Sequence, residues 1–341
     1  MRIVTFGEVM LRLSPEGYFK LFQKPTLELS FCGAEVNVAV ALSNFGEQTS
    51  FVTVLPDNDV GKAATREIRK FGVDTSDIIY NGDRIGIFFA EKGISQRPSK
   101  VIYDRKNSAV AQADANDFDW ESIFEGADWF HITGITPALS HSLADISVMA
   151  VKQAKKAGLT VSCDINYRAK LWTKEQAGPV MSEIMKYVDV CIGNEEDAEI
   201  VFGIKAGETD VTTGVLDTDG YRQSLETVAK TFGCKYVAYS QRKSYSASDN
   251  GWSGIIYDSE NDKMYTSSEY NIRIADRIGG GDAFASGLIY ALHNNMPPEK
   301  AVEVAAATGC LNQTLEGDFC LFEINDVLNL ANGDKSGRVK R

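Results

Sequence analysis

The sequence predicts an α/β protein built around a mostly parallel β-sheet. Two observations support this prediction. Short runs rich in β-branched and aromatic residues alternate with segments of helical periodicity, and glycine closes several of those segments, as at Gly46 and Gly72. Strands separated by helices of this length are typical of βαβ units, whose strands pair in parallel. With 341 residues, the chain can bury a large core without disulfides.

The first element is a β-rich run at 2–7 that ends in glycine and is predicted to form a central strand. The following elements are predicted in chain order as helix 34–46, strand 49–56, helix 59–72, strand 127–133, helix 143–158, strand 159–166, helix 174–187, strand 188–193, helix 194–203, helix 221–232 and strand 235–240. Small and apolar residues at helical spacing indicate another helix after Asp282.

Two segments interrupt this alternation. Residues 9–31 and 84–105 have the pattern of β-hairpins, with turn residues between their apolar runs. Strand pairs that interrupt a parallel sheet often form a small layer projecting beyond it. We therefore expect a single domain over 1–341, with a small β-sheet lid built from these two segments.

Composition narrows the classes of function. The net charge is −12, and no run of Lys or Arg forms a patch that could follow a phosphate backbone, so we expect neither nucleic-acid binding nor attachment to an anionic membrane. No apolar run approaches 18 residues, and the N-terminus lacks a signal-peptide core. Six scattered cysteines without a C-x-x-C pair indicate reduced thiols and a cytoplasmic protein. Three histidines make a His/Cys metal site or a Ser-His-Asp triad improbable.

The stretch DRIGGGD, residues 276–282, is the strongest local signal. Gly279, Gly280 and Gly281 run directly into Asp282 at the start of a predicted helix. A helix N-terminus attracts anions, and glycines allow a phosphate to approach the backbone closely. Asp282 beside such a site is explained if it removes a proton from an attacking hydroxyl. Considered alone, however, the stretch is more typical of an Asp N-cap after a flexible turn.

Three motifs together resemble the ribokinase-like (PfkB) carbohydrate kinases. DRIGGGDAFASGLI is similar to the family's C-terminal signature D-T-x-G-A-G-D-x-F, and FCGAEVNVAVALSNFG is similar to its N-terminal G-G-A-x-x-N motif. NEEDAEIVFG is similar to the N-x-x-E motif, with Asp197 in place of Glu. The resemblance implies a three-layer α/β/α sandwich with a mostly parallel central sheet and a small β-sheet lid. It also implies ATP and Mg²⁺ as cofactors.

The same resemblance implies roles for individual residues. Asp282 would be the catalytic base, and the amides of Gly279, Gly280 and Gly281 would form the anion hole. Gly33 and Asn37 would lie at the sugar pocket. Asn194 and Asp197 would organise Mg²⁺ and the phosphates, Asp197 through water because its side chain is one methylene shorter. Gly279, Gly281 and Asn194 would contact the nucleotide.

Three stretches indicate which sugar is bound: 101–109 and 164–172, which each contain an arginine, and 132–140, which forms a turn after a strand. Arg168 follows a strand at the sheet edge where α/β proteins bind ligands, and Tyr103 and Arg105 share one face of a lid strand. Two arginines at one pocket favour a carboxylate, although either arginine could equally form a surface ion pair. These stretches, and GDF at 317–319, resemble the 2-keto-3-deoxygluconate (KDG) kinases of the family. That resemblance places Phe88, Ile135 and Glu8 near the sugar.

The sequence departs from the family pattern in three places. Cys32 replaces the first glycine of the G-G pair, and Arg277 replaces the usual Thr. Residues 239–252 lack the family's T-x-G-x-x-G, so Ser240 and Arg242 are only candidate nucleotide contacts. The role of Arg277 has no explanation from the sequence.

The combined expectation is ATP-dependent phosphorylation of KDG, with a sugar acid and ATP as small-molecule partners. The alternative is a fructokinase or another ketose kinase of the same fold, which would need no carboxylate clamp. A catalytically silent sugar-binding protein is the alternative of another class, and the intact Asp282 argues against it. A homo-oligomer is also expected, with the lid as a candidate contact.

Overall fold

The computed structural model describes residues 2–207, 218–334 and 337. In the first half of the chain the elements are β1 (Ile3–Phe6), β2 (Met10–Ser14), β3 (Glu28–Cys32), α1 (Ala34–Asn44), β4 (Thr49–Leu55), α2 (Asp59–Lys70), β5 (Ile78–Tyr80), β6 (Gly86–Glu91), β7 (Lys100–Asp104), α3 (Trp120–Ile123), β8 (Trp129–Thr133), α4 (His141–Lys156) and β9 (Thr160–Asp164). Short 3₁₀ turns lie at Val110–Gln112, Ala115–Asp117 and Thr136–Ala138.

The second half adds α5 (Lys174–Met185), β10 (Val190–Gly193), α6 (Glu195–Phe202), α7 (Thr218–Phe232), β11 (Tyr236–Ser244), β12 (Asp249–Asp258), β13 (Lys263–Thr266), β14 (Tyr270–Arg273), α8 (Gly280–His293), α9 (Pro298–Asn312) and α10 (Ile324–Ala331). The helices and strands predicted from the sequence appear within a few residues of their expected bounds. The predicted and observed bounds differ only at the ends of the elements, which fray and are therefore the least well defined.

Ten strands form one large sheet in the order β13-β12-β11-β10-β9-β8-β1-β4-β5, with β14 also paired to β12. From β11 through β5 every neighbouring pair is parallel. The mostly parallel sheet predicted from the sequence is therefore confirmed. Because the strands point the same way, their carboxyl ends meet at one edge, where ligands of such sheets bind.

Helices cover both faces of the large sheet. On one face α4, α5 and α7 pack on alternate strand residues such as Val4 and Val161. On the other face α1, α8 and α9 pack on residues such as Ile3 and Val190. Successive strand residues point to opposite faces, so neighbours in sequence enter different cores. The result is the expected three-layer α/β/α sandwich.

Four strands form a second sheet, called here the small sheet, in the order β3-β2-β6-β7. All four lie within the two segments predicted to leave the large sheet. The outer pairs are antiparallel and the central β2–β6 pair is parallel. Met10, Phe88 and Ala90 pack its inner face together with Ile278, which precedes α8. The small sheet thus covers the edge of the large sheet near the glycine run.

The antiparallel extension made by β12, β13 and β14 was not predicted. The predicted strand at 235–240 continues to Ser244 and pairs along its whole length with β12. β12 carries two glycines and is buried along nearly its whole length, so it has no apolar–polar alternation. A Cβ at Gly254 would lie 2.5 Å from the ring of Phe284, which explains the glycine there.

Within the described ranges, no helix is both long and apolar enough to cross a membrane. All six cysteines are free thiols, and five of them are buried. The cysteines are therefore free thiols, as their scattered positions in the sequence predicted.

Candidate active site

A cavity of about 380 Å³, called here the main cavity, lies between the carboxyl edge of the large sheet and the small sheet. The strand ends that border it carry polar residues: Glu8 follows β1, Asp164 ends β9, Asn194 follows β10 and Ser240 lies in β11. From above, the small sheet contributes aromatic side chains. This arrangement gives the cavity a polar floor and a partly apolar roof.

The structure brings every site residue expected from the sequence to this cavity. The residues expected on the sugar side are Gly33, Asn37, Phe88, Tyr103, Arg105, Ile135 and Arg168. The residues expected at the phosphates, metal and nucleotide are Asn194, Asp197, Ser240, Arg242, Gly279, Gly280, Gly281 and Asp282. Their sharing one cavity does not by itself assign a role to any of them.

Asp282 lies in the first turn of α8 and faces the main cavity. Its Oδ2 accepts a hydrogen bond of 2.6 Å from Nδ2 of Asn37, which lies on α1. Burial raises the pKa of Asp282 to about 7, the Asn37 bond lowers it, and the negative charge of Asp164 raises it. A carboxyl group with a pKa near neutrality can accept a proton under ordinary conditions.

The glycines before Asp282 serve two different purposes. Gly279 has a φ of 84°, and a Cβ there would lie 2.4 Å from the carbonyl oxygen of Asp318. The protein itself therefore requires glycine at 279. At Gly281 a Cβ would meet nothing within 4 Å. The amides of 280–282 lie in the first turn of the helix and have no partner within it.

Arg105 is buried and is already paired within the protein. Its Nε donates a hydrogen bond of 2.7 Å to Oε2 of Glu8, and its Nη2 donates to the same oxygen. The other carboxylate oxygen of Glu8 accepts a 2.5 Å bond from Ser108 Oγ. Arg105 is therefore held in place before any ligand arrives, and Nη1 makes no hydrogen bond with the described residues.

Arg168 is exposed at the mouth of the cavity and has no carboxylate within 4.0 Å among the described residues. Its Nη1 donates only to the carbonyl of Tyr167, at 2.9 Å. Its positive charge nevertheless lowers the pKa of both Asp164 and Asp197. Nearby, the rings of Phe88 and Tyr103 lie 5.7 Å apart. Arg168 can accordingly bind an anion without first losing an ion pair.

A buried ion cluster that the sequence did not indicate joins the small sheet to the glycine run. Arg12 on β2 donates to Asp276 Oδ2 at 2.5 Å through Nη2 and to Asp318 Oδ2 at 2.7 Å through Nη1. Its Nε donates to Ser14 Oγ at 2.9 Å. Asp276 begins the glycine motif, and the carbonyl of Asp318 closes over Gly279. Arg12 thus fixes both segments that frame the glycines.

Two further carboxylates, those of Asp164 and Asp197, line the main cavity together with Asp282. Asn194 caps α6, and its Nδ2 donates to Asp197 Oδ2 at 2.8 Å. The other Asp197 oxygen accepts from the amide of Tyr167 at 3.2 Å. Burial raises the pKa of Asp164 and of Asp197 to about 7, and the charge of Asp197 raises that of Asp164 further.

A family profile described as pfkB family carbohydrate kinase matches residues 1–318. The chain belongs to this family. A crystal structure of 2-dehydro-3-deoxygluconokinase from Thermotoga maritima has a TM-score of 0.93 and 46% identity, covering 98% of this chain and 100% of that chain. A 2-dehydro-3-deoxygalactonokinase from Haloferax volcanii is 32% identical, with 98% of each chain covered. A 2-dehydro-3-deoxygluconokinase from Bacillus subtilis is 28% identical over 92% of this chain and 90% of its own.

The chain is therefore a carbohydrate kinase, and the ribokinase-like fold expected from the motifs is confirmed. The sequence missed the polar cavity residues Glu35, Asp164, Asn166 and Asp318, and also Arg12, which pairs with Asp318 outside the lining. Asp164 carried a usable signal, because it is the one charged residue of its strand and lies at the carboxyl end. Arg12 carried none, since it alternates with apolar residues in a strand whose partners are hundreds of residues away.

Proposed function

We propose that this kinase transfers the γ-phosphate of ATP to 2-keto-3-deoxy-D-gluconate, giving 2-keto-3-deoxy-6-phosphogluconate and ADP. The observation that carries the proposal is the position of Asp282, directly beside the free amides of α8 and hydrogen-bonded to Asn37. A base next to an anion site is suited to phosphoryl transfer to a hydroxyl. The relatives named for kinases of 2-dehydro-3-deoxy sugar acids, one 46% identical, support this substrate class.

In the proposed reaction, the terminal hydroxyl oxygen of the sugar forms a bond to the γ-phosphorus as the bond to the β-phosphate oxygen breaks. Asp282 takes the hydroxyl proton, and ADP leaves with the electron pair of the broken bond. The amides of Gly280 and Gly281 face the transferring group and stabilise its negative charge. Asn37 holds the Asp282 carboxylate in place.

The carboxylates beside Asp282 fit Mg²⁺ bound through water and phosphates. Across the described ranges, no group of three or more His, Cys, Asp or Glu side chains could hold a metal ion. Mg²⁺ commonly keeps several waters and uses only one or two carboxylates plus substrate phosphates. Asp197, held by Asn194, and Asp164 provide two such carboxylates on the cavity wall. When bound, Mg²⁺ would offset the charge of the phosphates.

The sugar is proposed to bind under the small sheet with its carboxylate toward Arg168 and the free edge of Arg105. Arg168 has no ion-pair partner among the described residues, so a carboxylate ligand would supply one. Phe88 and Tyr103 would cover the carbon chain, and Gly33, Asn37 and Ile135 would complete the pocket. A neutral ketose such as fructose offers nothing to Arg168, which is why the fructokinase alternative is less favoured.

We propose in addition that the kinase acts in the cytoplasm as a homo-oligomer. The free thiols support the first part. For the second part, the outer face of the small sheet carries Leu13, Leu29, Phe89 and Ile102 as cross-strand neighbours, and Leu29 is 67% exposed. Such an exposed apolar face is typical of an interaction surface. Sedimentation of the wild type and of a Leu29→Glu variant would test it.

The experiment is a coupled ADP-release assay over KDG, its C4 epimer 2-keto-3-deoxygalactonate, gluconate and fructose. We expect KDG to have the highest kcat/KM. In Arg168→Ala, the KM for KDG should rise about tenfold or more, since a hydrogen bond to a charged group is lost, while any KM for fructose stays unchanged. Lys170→Ala, on the same loop, is the matched control. If Arg168→Ala raised both KM values equally, the substrate assignment would be wrong.

A further inference from the structure

Two arginines on the nucleotide side of the main cavity have no acidic partner. Arg242 lies on β11, and Arg277 lies in the loop that leads to Gly279. Both line the main cavity together with Gly279, Gly280 and Gly281. Among the described residues, no carboxylate lies within 4.0 Å of either guanidinium, whereas Arg12 and Arg105 on the sugar side both have such a partner.

The side chain of Arg242 makes no hydrogen bond with any described residue, and its Nε is buried without a partner among them. The guanidinium lies over the ring of Trp252, with 5.7 Å from its central carbon to the ring centroid. Arg277 donates only to neutral oxygens, at 3.2 Å to the carbonyl of Ser246 and 3.3 Å to Oδ1 of Asn250. Both side chains therefore retain donors that the protein does not use.

The two positive charges are unfavourable in the empty protein. Burial lowers the pKa of Arg242 to about 10, and the neighbouring charge of Arg277 lowers it further. Glu195 and Glu196 raise it without coming close enough to pair. Burial also lowers the pKa of Arg277. Removing even part of a charge from water is costly when no opposite charge is near, so a site that keeps two half-buried guanidinium groups without such a partner is suited to an anion.

We propose that Arg242 and Arg277 bind the terminal phosphates of the nucleotide, opposite the amides of the glycine run. The inference rests on the proposed phosphoryl transfer but assigns a role to Arg277 that the sequence left unexplained. A planar guanidinium matches two phosphate oxygens at once. Ser240 and Arg242 also border an adjoining cavity of about 260 Å³, which leaves room for the rest of the nucleotide.

Arg277 also connects the site to the small sheet. It holds the β11–β12 turn through Ser246. In that turn, the amide of Ala247 donates to the carbonyl of Ser95 at 2.8 Å, and Ser248 Oγ accepts from the amide of Ser95 at 2.9 Å. Ser95 lies in the loop between β6 and β7 of the small sheet. A purely structural Arg277 would act through this contact, so the test must separate anchoring from binding.

The experiment measures binding of inorganic tripolyphosphate, ADP and KDG by calorimetry to the full-length wild type and to Arg242→Gln, Arg277→Gln and Arg277→Lys. Arg273→Gln is the matched control, because that arginine is 87% exposed on β14 and outside the cavity. Melting temperatures of the unliganded proteins are recorded in parallel.

We expect tripolyphosphate and ADP to bind about tenfold to a hundredfold more weakly to each Gln variant. KDG binding should stay unchanged, and Lys at 277 should restore part of the loss. The unliganded Gln variants should melt no lower than the wild type, because the repulsion between the arginines is relieved.

Two results would overturn the proposal. One is unchanged tripolyphosphate affinity in both Gln variants. The other is a lower melting temperature in Arg277→Gln with equal losses for tripolyphosphate and KDG, which would make Arg277 a structural anchor. Tripolyphosphate binding does not depend on which sugar is phosphorylated. A wrong substrate would therefore leave this test valid, whereas a wild type that binds neither ADP nor tripolyphosphate would contradict the proposed function itself.

Discussion

The two ends of the main cavity use the same residue type in opposite ways. On the sugar side, Arg12 and Arg105 are buried in ion pairs with Asp276, Asp318 and Glu8. On the nucleotide side, Arg242 and Arg277 have no such partner among the described residues. Paired arginines fix the shape of a pocket before the ligand arrives, while unpaired arginines contribute their interaction only when an anion binds. The proposed sugar end is therefore preformed except for the exposed Arg168 at its mouth, and the proposed nucleotide end is completed by its ligand.

Asp282, the proposed catalytic base between these two ends, gives the largest expected effect. Asp282→Asn keeps the shape of the side chain and its contact with Asn37 but removes the proton acceptor. We expect kcat to fall by about 10³-fold, as is usual for the loss of a general base. Steady-state assays give kcat, and calorimetry should find KDG binding retained. An Asn variant with wild-type kcat would show that Asp282 is not the base.

Removing the partner of a paired arginine should mainly affect stability. Glu8→Ala leaves Arg105 buried without its carboxylate, and breaking a buried pair in this way costs about 3–5 kcal/mol of unfolding free energy. Urea unfolding measures the change. Glu16→Ala is the control, since its pair with Lys24 is exposed and should contribute about 0–1 kcal/mol. A loss below the control's would mean that Arg105 is not held as described.

Two glycines before Asp282 should respond differently to substitution, because protein packing requires glycine at 279 and only ligand binding requires it at 281. Gly281→Ala should leave the melting temperature unchanged or slightly higher, since its Cβ would meet no protein atom within 4 Å. The KM for ATP should rise about tenfold, because the methyl group enters the phosphate space. Gly279→Ala should instead lose about 1–3 kcal/mol of stability through its left-handed φ and the contact with Asp318. Equal stability losses in both variants would contradict this division.

The smallest effect expected is a shift in pH dependence. Because Asp282 must be deprotonated, kcat/KM should rise with pH through about 7, and Asn37→Ala should move that rise to higher pH.

The effect of Asp282 on stability has the opposite dependence on pH. Because folding raises the pKa of Asp282, its contribution to the free energy of unfolding is present below about pH 4 and is lost as pH rises through about 7. Asp282→Asn should thus gain more melting temperature relative to wild type at pH 8 than at pH 5. Asp145→Asn, on the exposed face of α4, is the control.

The sequence predicted the features of the fold and site that depend on residues close together in the chain. The alternation of β-rich runs with helical segments predicted the parallel strands and their helices. A local motif was enough to place Asp282 at the start of α8. The polar cluster around Arg12 could not be predicted, because its two partners lie 264 and 306 residues away. The pairing of Arg105 with Glu8 was missed for the same reason, across 97 residues. The sequence placed both at the sugar, and only the fold shows that each restrains the other.

The antiparallel strands near the nucleotide end were missed for a different reason. β12 is buried along nearly its whole length, so it lacks apolar–polar alternation, and two glycines interrupt its β-forming residues. Its neighbour β11 was predicted to end at Ser240, four residues before its actual end. The part of the cavity that these strands build, around Arg242, was accordingly the least well predicted.

The ion cluster of Arg12 has a consequence for how the protein is made. A ribosome synthesises Arg12 long before its partners, because Asp276 follows it by 264 residues and Asp318 by 306. Until then, Arg12 has neither of its carboxylate partners, and the segments that frame Gly279 do not yet exist. The nascent chain can fold its early βαβ units during synthesis, yet its cavity assembles only after Asp318 has been translated. A stalled or truncated chain would be partly folded and inactive.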